Sequence, residues 1–529
     1  MRKYLFAGVA LVMTLIVAGC GGSKGGSNTA SNSGTGSSKP YSELRWGMTT
    51  VPGVLDWPRN PQIQLLVTES LAAQDLVEFE PDGKIKPALA SSVEQPNPTT
   101  YVYHLKSVKF SDGKPMTAAD VVFSLDRNID AKESWVKIFW EDVASINAPN
   151  GSTVIIKLKQ PSTFFPDILA FTSKVIEKES AEKIGEKELG TPGHLPIGTG
   201  PWKFDSYTPE AKIQLSRNPY WNGPQPPAEK ITINLFKTEA SMELALRSGA
   251  IDGAFLYQAP KIFSNIPGAR VLTAPGTDIV FASANTVEPP FNDVHVRRAL
   301  AYATNTKGMI EAIYPKGTAT EDASVIPASL WTDLGAPSQV QEVLNSLPKY
   351  EFNISKAKQE LAKSAYPHGF TTELEVEQTA QPQVSAAEIL AADLAKIGVT
   401  AKVRPLSPAQ GTALSLSGKF KLAVQEVVAG YADPEGLMSG LFAPTIVNAA
   451  KYNNAEVTGL RTESAKTFNV TRRRQLIGKL LKIEAGEAPY WPLYTHATFG
   501  ALAEKYVMPT FSYWTMLWAP WALDVKLAS

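Results

Sequence analysis

The chain has 529 residues, of which 44% are hydrophobic and 9% aromatic. It is therefore long enough for two or three domains with real cores. Lysine and arginine together number 51, as do aspartate and glutamate. This neutral balance gives no electrostatic reason for binding nucleic acid or an anionic lipid surface, and we predict no nucleic-acid partner.

The first twenty residues have the features of an export signal. Arg2 and Lys3 precede an apolar run, Tyr4–Val17. That run is shorter than the roughly 20 residues that a membrane-spanning helix requires. It ends in the letters VAGC at 17–20, which resemble the lipobox of bacterial lipoproteins. The resemblance implies cleavage before Cys20 and a diacylglycerol on its thiol.

Cys20 is the only cysteine of the chain, so it cannot form an internal disulfide. A free thiol outside the cell is a hazard, and lipidation explains both the presence and the isolation of this residue. The alternative is an ordinary secretory signal that happens to contain a cysteine. We predict a signal peptide over 1–20 and a lipid anchor on the extracytoplasmic face of the cell membrane.

Residues 21–40 are mostly Gly, Ser, Asn and Thr, with few apolar side chains. Such a segment cannot bury enough surface to offset the entropy of ordering it. We therefore predict a disordered linker over 21–40. As a flexible coil, it would span about 25 Å between the membrane and the folded body.

The body then shows strand and helix patterns in turn. Glu43–Gly47 and Thr99–Leu105 alternate in the manner of strands. Pro81-Asp82-Gly83 predicts a turn. Thr117 begins a capping-box pattern for the helix that follows it. Helices followed by glycine and a β-branched run recur, and this pattern favours α/β lobes.

Longer stretches of the body resemble the extracellular substrate-binding lipoproteins of peptide/nickel-type (family 5) ABC transporters. Their order along the chain, over most of the body, makes the resemblance specific. The stretches include TYVYHLKSVKFSDGKPMTAADVVFSLDRN, LPIGTGPWKFDSYTPEAKIQLSRNPYWNG, LRSGAIDGAF, PFNDVHVRRALAYATN, LAADLAKIGVTAKV, GYADPEG and RRRQLIGKLLKIEAGEAPYWPLY.

This resemblance implies an α/β, two-lobed periplasmic-binding-protein-like fold (type II) with a ligand cleft between the lobes. The expected first lobe covers 41–279, with an extra subdomain at about 60–195. The second lobe is expected over 280–487, and residues 488–529 are expected to return to the first lobe. The chain would cross between the lobes near 276–284 and 488–494.

The implied function is capture of a small ligand, foremost a peptide, by hinge closure, followed by delivery to an ABC permease. The implied protein is a monomer without a cofactor. Relatives of this fold take other solutes, such as metal chelates and sugars. The remaining alternatives are a sensor or adhesion lipoprotein on the same fold and, less favoured, a hydrolase.

The peptide-binding relatives hold the ammonium of the ligand with an aspartate on a loop of the second lobe. Here the matching segment runs from Gly430 through Tyr431 and Asp433 to Glu435. Asp433 is the candidate counter-charge, and Glu435 is its rival because the loop is shorter than in many relatives. Aromatic residues near the expected cleft could line side-chain pockets. They are Trp46, Trp57, Tyr257, Tyr431 and Trp491.

We predict no catalytic residues and no metal site. The five histidines are far apart in the chain and lack paired spacing, although a site formed by distant residues stays open. Gly-x-Ser-x-Gly is absent from the sequence that follows the predicted linker. The glycines of 197–202 lack the partners of a phosphate loop, so we interpret them as a turn that needs unusual backbone angles. We interpret Arg472–Arg474 as the solvent-exposed start of a helix.

Overall fold

The computed structural model describes residues 36–37, 39–49, 53–60, 62–132, 134–256, 260–417, 419–443, 445, 448 and 450–529. The predicted signal peptide with Cys20 and most of the predicted linker lie outside the described residues. The candidate Tyr257 also lies outside them.

Strands occur along the whole described chain. They are β1 (Gly36–Ser37), β2 (Tyr41–Thr49), β3 (Val77–Phe79), β4 (Ile85–Pro87), β5 (Ala90–Asn97), β6 (Thr100–Leu105), β7 (Val143–Asn150), β8 (Thr153–Leu158), β9 (Trp202–Thr208), β10 (Lys212–Arg217), β11 (Ala228–Phe236), β12 (Gly253–Leu256), β13 (Ala269–Ala274), β14 (Ile279–Ala284), β15 (Ala319–Thr320), β16 (Thr371–Glu377), β17 (Thr400–Leu406), β18 (Leu422–Val427), β19 (Tyr490–His496), β20 (Thr498–Ala503), β21 (Tyr506–Val507) and β22 (Lys526–Ala528).

Helices cover the sheets. They are α1 (Ile63–Glu69), α2 (Ala118–Asp130), α3 (Phe165–Thr172), α4 (Lys178–Ile184), α5 (Glu239–Arg247), α6 (Pro260–Phe263), α7 (Val294–Ala303), α8 (Thr306–Ile313), α9 (Pro337–Asn345), α10 (Ile354–Leu361), α11 (Gln381–Ala395), α12 (Pro408–Ser417), α13 (Glu435–Leu441), α14 (Ala455–Lys466), α15 (Val470–Glu487) and α16 (Tyr513–Trp518). Among these helices of the described chain, none combines the length and the hydropathy that a membrane span requires.

The first lobe is built on a seven-stranded sheet in the order β13-β20-β12-β2-β11-β10-β9. β2 runs parallel to both β11 and β12. The predicted strand Glu43–Gly47 falls inside β2 and is confirmed. Alternate residues Leu44, Trp46 and Met48 are buried, because successive side chains of a strand point to opposite faces.

A separate antiparallel sheet, β5-β6-β8-β7, follows within the first lobe, together with α2. The predicted strand Thr99–Leu105 matches β6, where Tyr101 and Tyr103 are buried and Leu105 is half-buried. The predicted capping box is confirmed. The Thr117 backbone N–H donates to Asp120 Oδ2 at 2.8 Å. α2 therefore begins where the sequence places it.

The second lobe has a six-stranded sheet in the order β15-β19-β14-β18-β16-β17. The chain passes from β13 to β14 through 275–278, and from β19 back to β20 at Ala497. β19 pairs with β14 and β15, so residues 490–496 lie in the second sheet. The lobe limits expected from the sequence stay predictions.

The ordered body begins before the predicted linker ends. Gly36 and Ser37 of β1 pair with Ala528 and Leu527 of β22. A Cβ atom at Gly36 would lie 2.7 Å from the Cβ of Lys526, so only glycine fits against this strand. The pairing places the start of the described chain beside its end in the first lobe.

The glycines of the 197–202 turn serve a purpose other than the predicted one. Neither Gly198 nor Gly200 has a positive φ. Instead, their backbones lie against the turn that follows α1. A Cβ atom at Gly198 would lie 2.2 Å from the carbonyl oxygen of Ala72, and one at Gly200 would lie 2.6 Å from that of Leu71. Glycine is required here by close approach, and the interpretation as a structural turn is retained.

Charged groups are buried together beneath α1. Lys174 Nζ contacts Asp75 Oδ2 at 2.9 Å, and Arg127 Nη2 contacts Asp56 Oδ2 at 2.7 Å. Glu69 lies among them, and its Oε1 has no hydrogen-bond partner among the described residues. Burial raises the pKa of Glu69 to about 8, and the nearby Asp56 adds to the shift. Burial therefore favours the protonated form of this carboxyl group in the folded state.

Glu69→Gln is expected to flatten the pH dependence of stability. A carboxyl group with a raised folded pKa contributes its stability below the unfolded value, near 4.5, and loses it as the pH rises through about 8. We expect the melting temperature of the wild type to fall between pH 5 and pH 8.5 relative to the variant. Thermal melts across this range measure the difference. Glu141→Gln, an exposed control, should track the wild type, and parallel curves for Glu69→Gln would contradict the assignment.

Candidate interlobe ligand site

Residues 429–435 of the second lobe pack directly against the first lobe. The Tyr513 hydroxyl of α16 donates to the carbonyl oxygen of Ala429 at 2.9 Å. The predicted turn at Gly83 is confirmed by its φ of +87°, and it lies against Ala432. A third contact joins the lobes where the backbone N–H of Thr163 donates to the carbonyl oxygen of Ala465 at 2.9 Å. The lobes are therefore in contact along this segment.

Tyr431 is the centre of this contact. Its ring stacks on Phe164 and on Phe171, with both centroid distances 5.8 Å. Phe171 lies on α3 of the first lobe, and Phe164 is the residue before it. Tyr431 is 2% exposed, so its ring is buried at the contact between the lobes. Separation of the lobes would expose three aromatic faces at once.

Further aromatic rings of the first lobe surround Phe171. Trp57 lies on the short 3-10 turn Trp57–Arg59, with its ring centroid 6.4 Å from that of Phe171. Trp518 of α16 lies 5.3 Å from Phe171 and 6.1 Å from Trp57. Trp135 and Phe139 complete the set. We call this group the interlobe aromatic cluster; its members are Trp57, Trp135, Phe139, Phe164, Phe171, Tyr431 and Trp518.

Two polar atoms in the interlobe aromatic cluster lack hydrogen-bond partners among the described residues. The indole Nε1 atoms of Trp57 and Trp518 are buried, and neither has a hydrogen-bond partner among the described residues. A buried indole N–H normally finds an acceptor, since leaving it unsatisfied costs about 1–3 kcal/mol. These donors could therefore serve an acceptor atom of a bound ligand.

Asp433, the candidate counter-charge, is already paired. Arg473 on α15 donates from Nη1 to Asp433 Oδ2 at 2.6 Å and from Nη2 to Oδ1 at 2.7 Å. Both side chains are buried. The interpretation of Arg472–Arg474 as a solvated helix start is wrong for Arg473, because α15 turns its first-turn arginine inward to reach this carboxylate.

Glu435, the rival candidate, keeps one carboxylate oxygen available. Arg461 of α14 donates to Oε1. Oε2 is buried and has no hydrogen-bond partner among the described residues. Burial raises the pKa of Glu435 to about 7, although Arg461 opposes the shift. Geometry therefore favours Glu435 over Asp433 as the group that could accept from a ligand cation.

A third carboxyl group, that of Asp167 on α3 of the first lobe, lies near Asp433. Desolvation at the contact raises its pKa well above the usual range, and the neighbouring Asp433 carboxylate raises it further. Arg473 acts in the opposite direction. The lobe contact therefore brings acidic groups of both lobes into one electrostatic environment.

The other predicted site residues have separate positions. Gly430 faces the cluster, where an added Cβ atom would lie 3.7 Å from Phe171 Cζ. Trp46 packs inside the first lobe against Phe255, and Trp491 lies in the second lobe, where its Nε1 donates to the Thr304 hydroxyl at 3.1 Å. The structure thus brings Trp57 to the 430–435 segment but not Trp46 or Trp491. Contact of any of these with a ligand stays a prediction.

Sequence reasoning missed the first-lobe half of the contact. Phe164, Phe171 and Trp518 come from two distant segments, and a single aromatic residue is usually part of a core. One signal was present: Trp514, Trp518 and Trp521 crowd the last sixteen residues of the chain. Such density of indoles indicates an aromatic surface, but not which lobe it meets.

The two sheets, the paired crossings between them and the interlobe contact define a two-lobed α/β protein of the kind that encloses a ligand between its lobes. Residues 84–449 match the family of bacterial extracellular solute-binding proteins, family 5. The chain therefore belongs to this family. The family, the fold class and the solute-binding function expected from the sequence are confirmed.

Individual relatives bind different solutes. Heme-binding protein A of Haemophilus influenzae is 28% identical over 83% of this chain and 84% of its own. A solved structure of the substrate-binding protein CtaP from Listeria monocytogenes, at 24% identity, covers 93% of this chain and all of its own, with a TM-score of 0.81. DppA from Helicobacter pylori, solved with the peptide STSA, is also 24% identical and gives 0.77 over 93% and 99% of the two chains.

Proposed function

We propose that this protein is a lipid-anchored, monomeric, non-catalytic receptor that captures a peptide between its lobes and delivers it to an ABC permease. The observation that carries the proposal is the contact of the 429–435 segment with the interlobe aromatic cluster, which encloses Tyr431 with rings of the opposite lobe. The family match and the peptide in the solved relative support the same ligand class.

Closure supplies the affinity in this mechanism. A ligand stabilises the closed arrangement only by its differential affinity for it. Exclusion of water between the lobes strengthens each polar contact with the ligand. The groups available for such contacts are the Nε1 donors of Trp57 and Trp518 for a carbonyl or carboxylate and the Glu435 Oε2 for an ammonium. A peptide carries both kinds of group.

The proposal is tested on the full chain, purified in detergent. Native mass spectrometry first identifies any ligand that co-purifies. Calorimetric titration then compares di- to pentapeptides with glutathione, heme and a nickel chelate. We expect saturable binding of peptides with one site and no change in peptide mass after incubation. Binding of heme or chelate without peptides would overturn the ligand class, and peptide cleavage would support the hydrolase alternative.

Trp57→Phe is expected to weaken peptide binding about fivefold. The variant keeps an aromatic ring against Phe171 but removes the Nε1 donor, which has no partner within the described ranges. Loss of one hydrogen bond costs about 1 kcal/mol, which corresponds to that factor. Calorimetry measures the affinity. Trp140→Phe is the matched control, since the part of the chain that the structure describes also offers no partner to its buried Nε1, but its ring packs on Phe165 inside the first lobe. Equal effects of both variants would remove Trp57 from the ligand site.

A further inference from the structure

A second cluster of chemically active side chains lies at the two connections between the lobes. Asp278 is the last residue of the first connection, just before β14, and His496 is the last residue of β19, just before the second connection at Ala497. Glu426 lies on β18. One ligand atom from each of these three side chains lies within 4.8 Å of the other two.

The register of the second sheet produces this meeting. β14 lies between β18 and β19, with Ile279 opposite Thr495 and Val280 opposite Glu426. The residue before Ile279 therefore falls beside the residue after Thr495. Although 278, 426 and 496 are far apart in the chain, antiparallel pairing brings them to the same end of these three adjacent strands.

The connections themselves are packed tightly at this point. A Cβ atom at Gly276 would lie 1.7 Å from the carbonyl oxygen of His496, so glycine alone allows the approach. The His496 ring stacks on Tyr314, with a centroid distance of 5.6 Å and an interplanar angle of 13°. Phe499 stacks on it as well, at 6.2 Å and 7°. The imidazole is therefore held in one orientation.

Each of the three groups has an additional hydrogen bond from outside the cluster. His496 Nδ1 lies 2.9 Å from the carbonyl oxygen of Ala497, which directs Nε2 toward Glu426 Oε1 at 2.8 Å. The Gln383 side-chain amide donates to Glu426 Oε2. The Thr277 hydroxyl donates to Asp278 Oδ1 at 3.2 Å. Protein metal sites orient their ligands through the same kind of outer hydrogen bonds.

The donor set suits a particular class of ion. One imidazole nitrogen and two carboxylate oxygens are ligands of Zn²⁺ and of similar divalent transition metals, whereas Ca²⁺ and Mg²⁺ prefer oxygen ligands alone. With both carboxylates ionised and the imidazole neutral, the three ligands carry a charge of −2, which a divalent cation would neutralise. The competing explanation is an ion pair of His496 with Glu426 that needs no metal.

We propose that Asp278, Glu426 and His496 form a binding site for a divalent transition-metal ion, best suited to Zn²⁺, that joins the two connections between the lobes. The sequence predicts no metal site, because spacing cannot show a cluster whose residues come from three segments far apart in the chain. This site is separate from the interlobe aromatic cluster. If the ion prefers one arrangement of the lobes, it changes the affinity for the solute. By linkage, the solute then changes the affinity for the ion by the same factor.

The test uses the full chain in detergent, without a histidine tag and stripped with a chelator. Titration with Zn²⁺ in a calorimeter is expected to show one saturable site. Asp278→Asn and His496→Gln should each weaken Zn²⁺ binding by more than about tenfold. Co²⁺ loaded in place of Zn²⁺ should give visible d–d absorption that both variants lose. Melting temperatures without metal check that each variant is folded.

His295→Gln is the matched control. His295 Nδ1 also contacts a carboxylate, Glu360 Oε2, at 2.8 Å. Among the described residues, however, no third metal-ligating side chain lies close to this pair. Its Zn²⁺ affinity should equal that of the wild type. Absence of saturable Zn²⁺ binding, or equal loss in His295→Gln, would overturn the proposal in favour of the metal-free ion pair. The experiment measures Zn²⁺ binding alone, so its outcome does not depend on whether the protein binds peptides.

Discussion

Arg473→Met is expected to lower the free energy of unfolding of the second lobe by about 3–5 kcal/mol. Both guanidinium Nη atoms bind Asp433, and Nε also donates to the carbonyl oxygen of Ser464 at 3.1 Å. Methionine keeps the length of the side chain but leaves the Asp433 carboxylate buried without a counter-charge. Urea unfolding measures the loss, and hydrogen exchange over 429–443 locates it.

The neighbouring arginine provides a control. Arg472 pairs with the exposed Glu463 at 2.9 Å, and surface pairs of this kind contribute about 0–1 kcal/mol. Arg472→Met should therefore be nearly neutral. The double variant Asp433→Asn/Arg473→Met should recover part of the loss, because it removes both buried charges together. If Arg473→Met were as mild as Arg472→Met, the buried pair would not have the role given to it.

The same residues decide the open question about the ligand ammonium. The sequence predicts that Asp433→Asn weakens peptide binding by about 1.5–3 kcal/mol through loss of a charge-assisted bond. In the structure, Arg473 already binds both carboxylate oxygens of Asp433, whereas Glu435 Oε2 has no partner among the described residues. Peptide affinities of Asp433→Asn and Glu435→Gln, measured where both variants are folded, distinguish the two candidates.

Tyr431→Ala is expected to weaken solute binding by about 1–3 kcal/mol, roughly 5- to 150-fold. The variant removes two stacked ring pairs that exist only when the lobes are in contact. Each such pair contributes about 0.5–1.5 kcal/mol beyond its buried area. The closed arrangement therefore becomes less populated, and apparent affinity falls with it. Calorimetry measures the affinity, and small-angle scattering measures the opening.

Tyr302→Ala is the control for this prediction. Tyr302 pairs with Tyr350 at a centroid distance of 5.0 Å, entirely within the second lobe. Its loss should change stability without changing solute affinity or the radius of gyration. If Tyr431→Ala bound solute as tightly as the wild type, the contact would be packing alone and the interlobe aromatic cluster would lose its place in the binding mechanism.

Local patterns were sufficient for much of the fold. Alternation along the chain predicted β6, and the capping box at Thr117 predicted the start of α2. These features depend on residues within a few positions of one another. They are therefore visible in the sequence itself.

Contacts between distant residues were not predictable in the same way. The sequence predicts that Arg472–Arg474 is solvated, because it does not show that the Asp433 carboxylate lies beside the Arg473 guanidinium. The sequence predicts that residue 198 is glycine because of unusual backbone angles. In the structure, glycine is needed because the carbonyl oxygen of Ala72 leaves no room for a Cβ atom. In both cases the deciding neighbour is far away in the chain.

The sequence by itself determined the family, the two-lobed α/β class and the segment 430–435 as a place of interest, because these follow from local pattern and from the order of motifs. Only the tertiary structure decided which carboxylate of that segment is already paired, which rings of the first lobe enclose Tyr431, and that Asp278, Glu426 and His496 meet. The physical reason is that burial, charge pairing and ligand geometry depend on distances in space, which strand register and lobe contact fix and residue spacing does not.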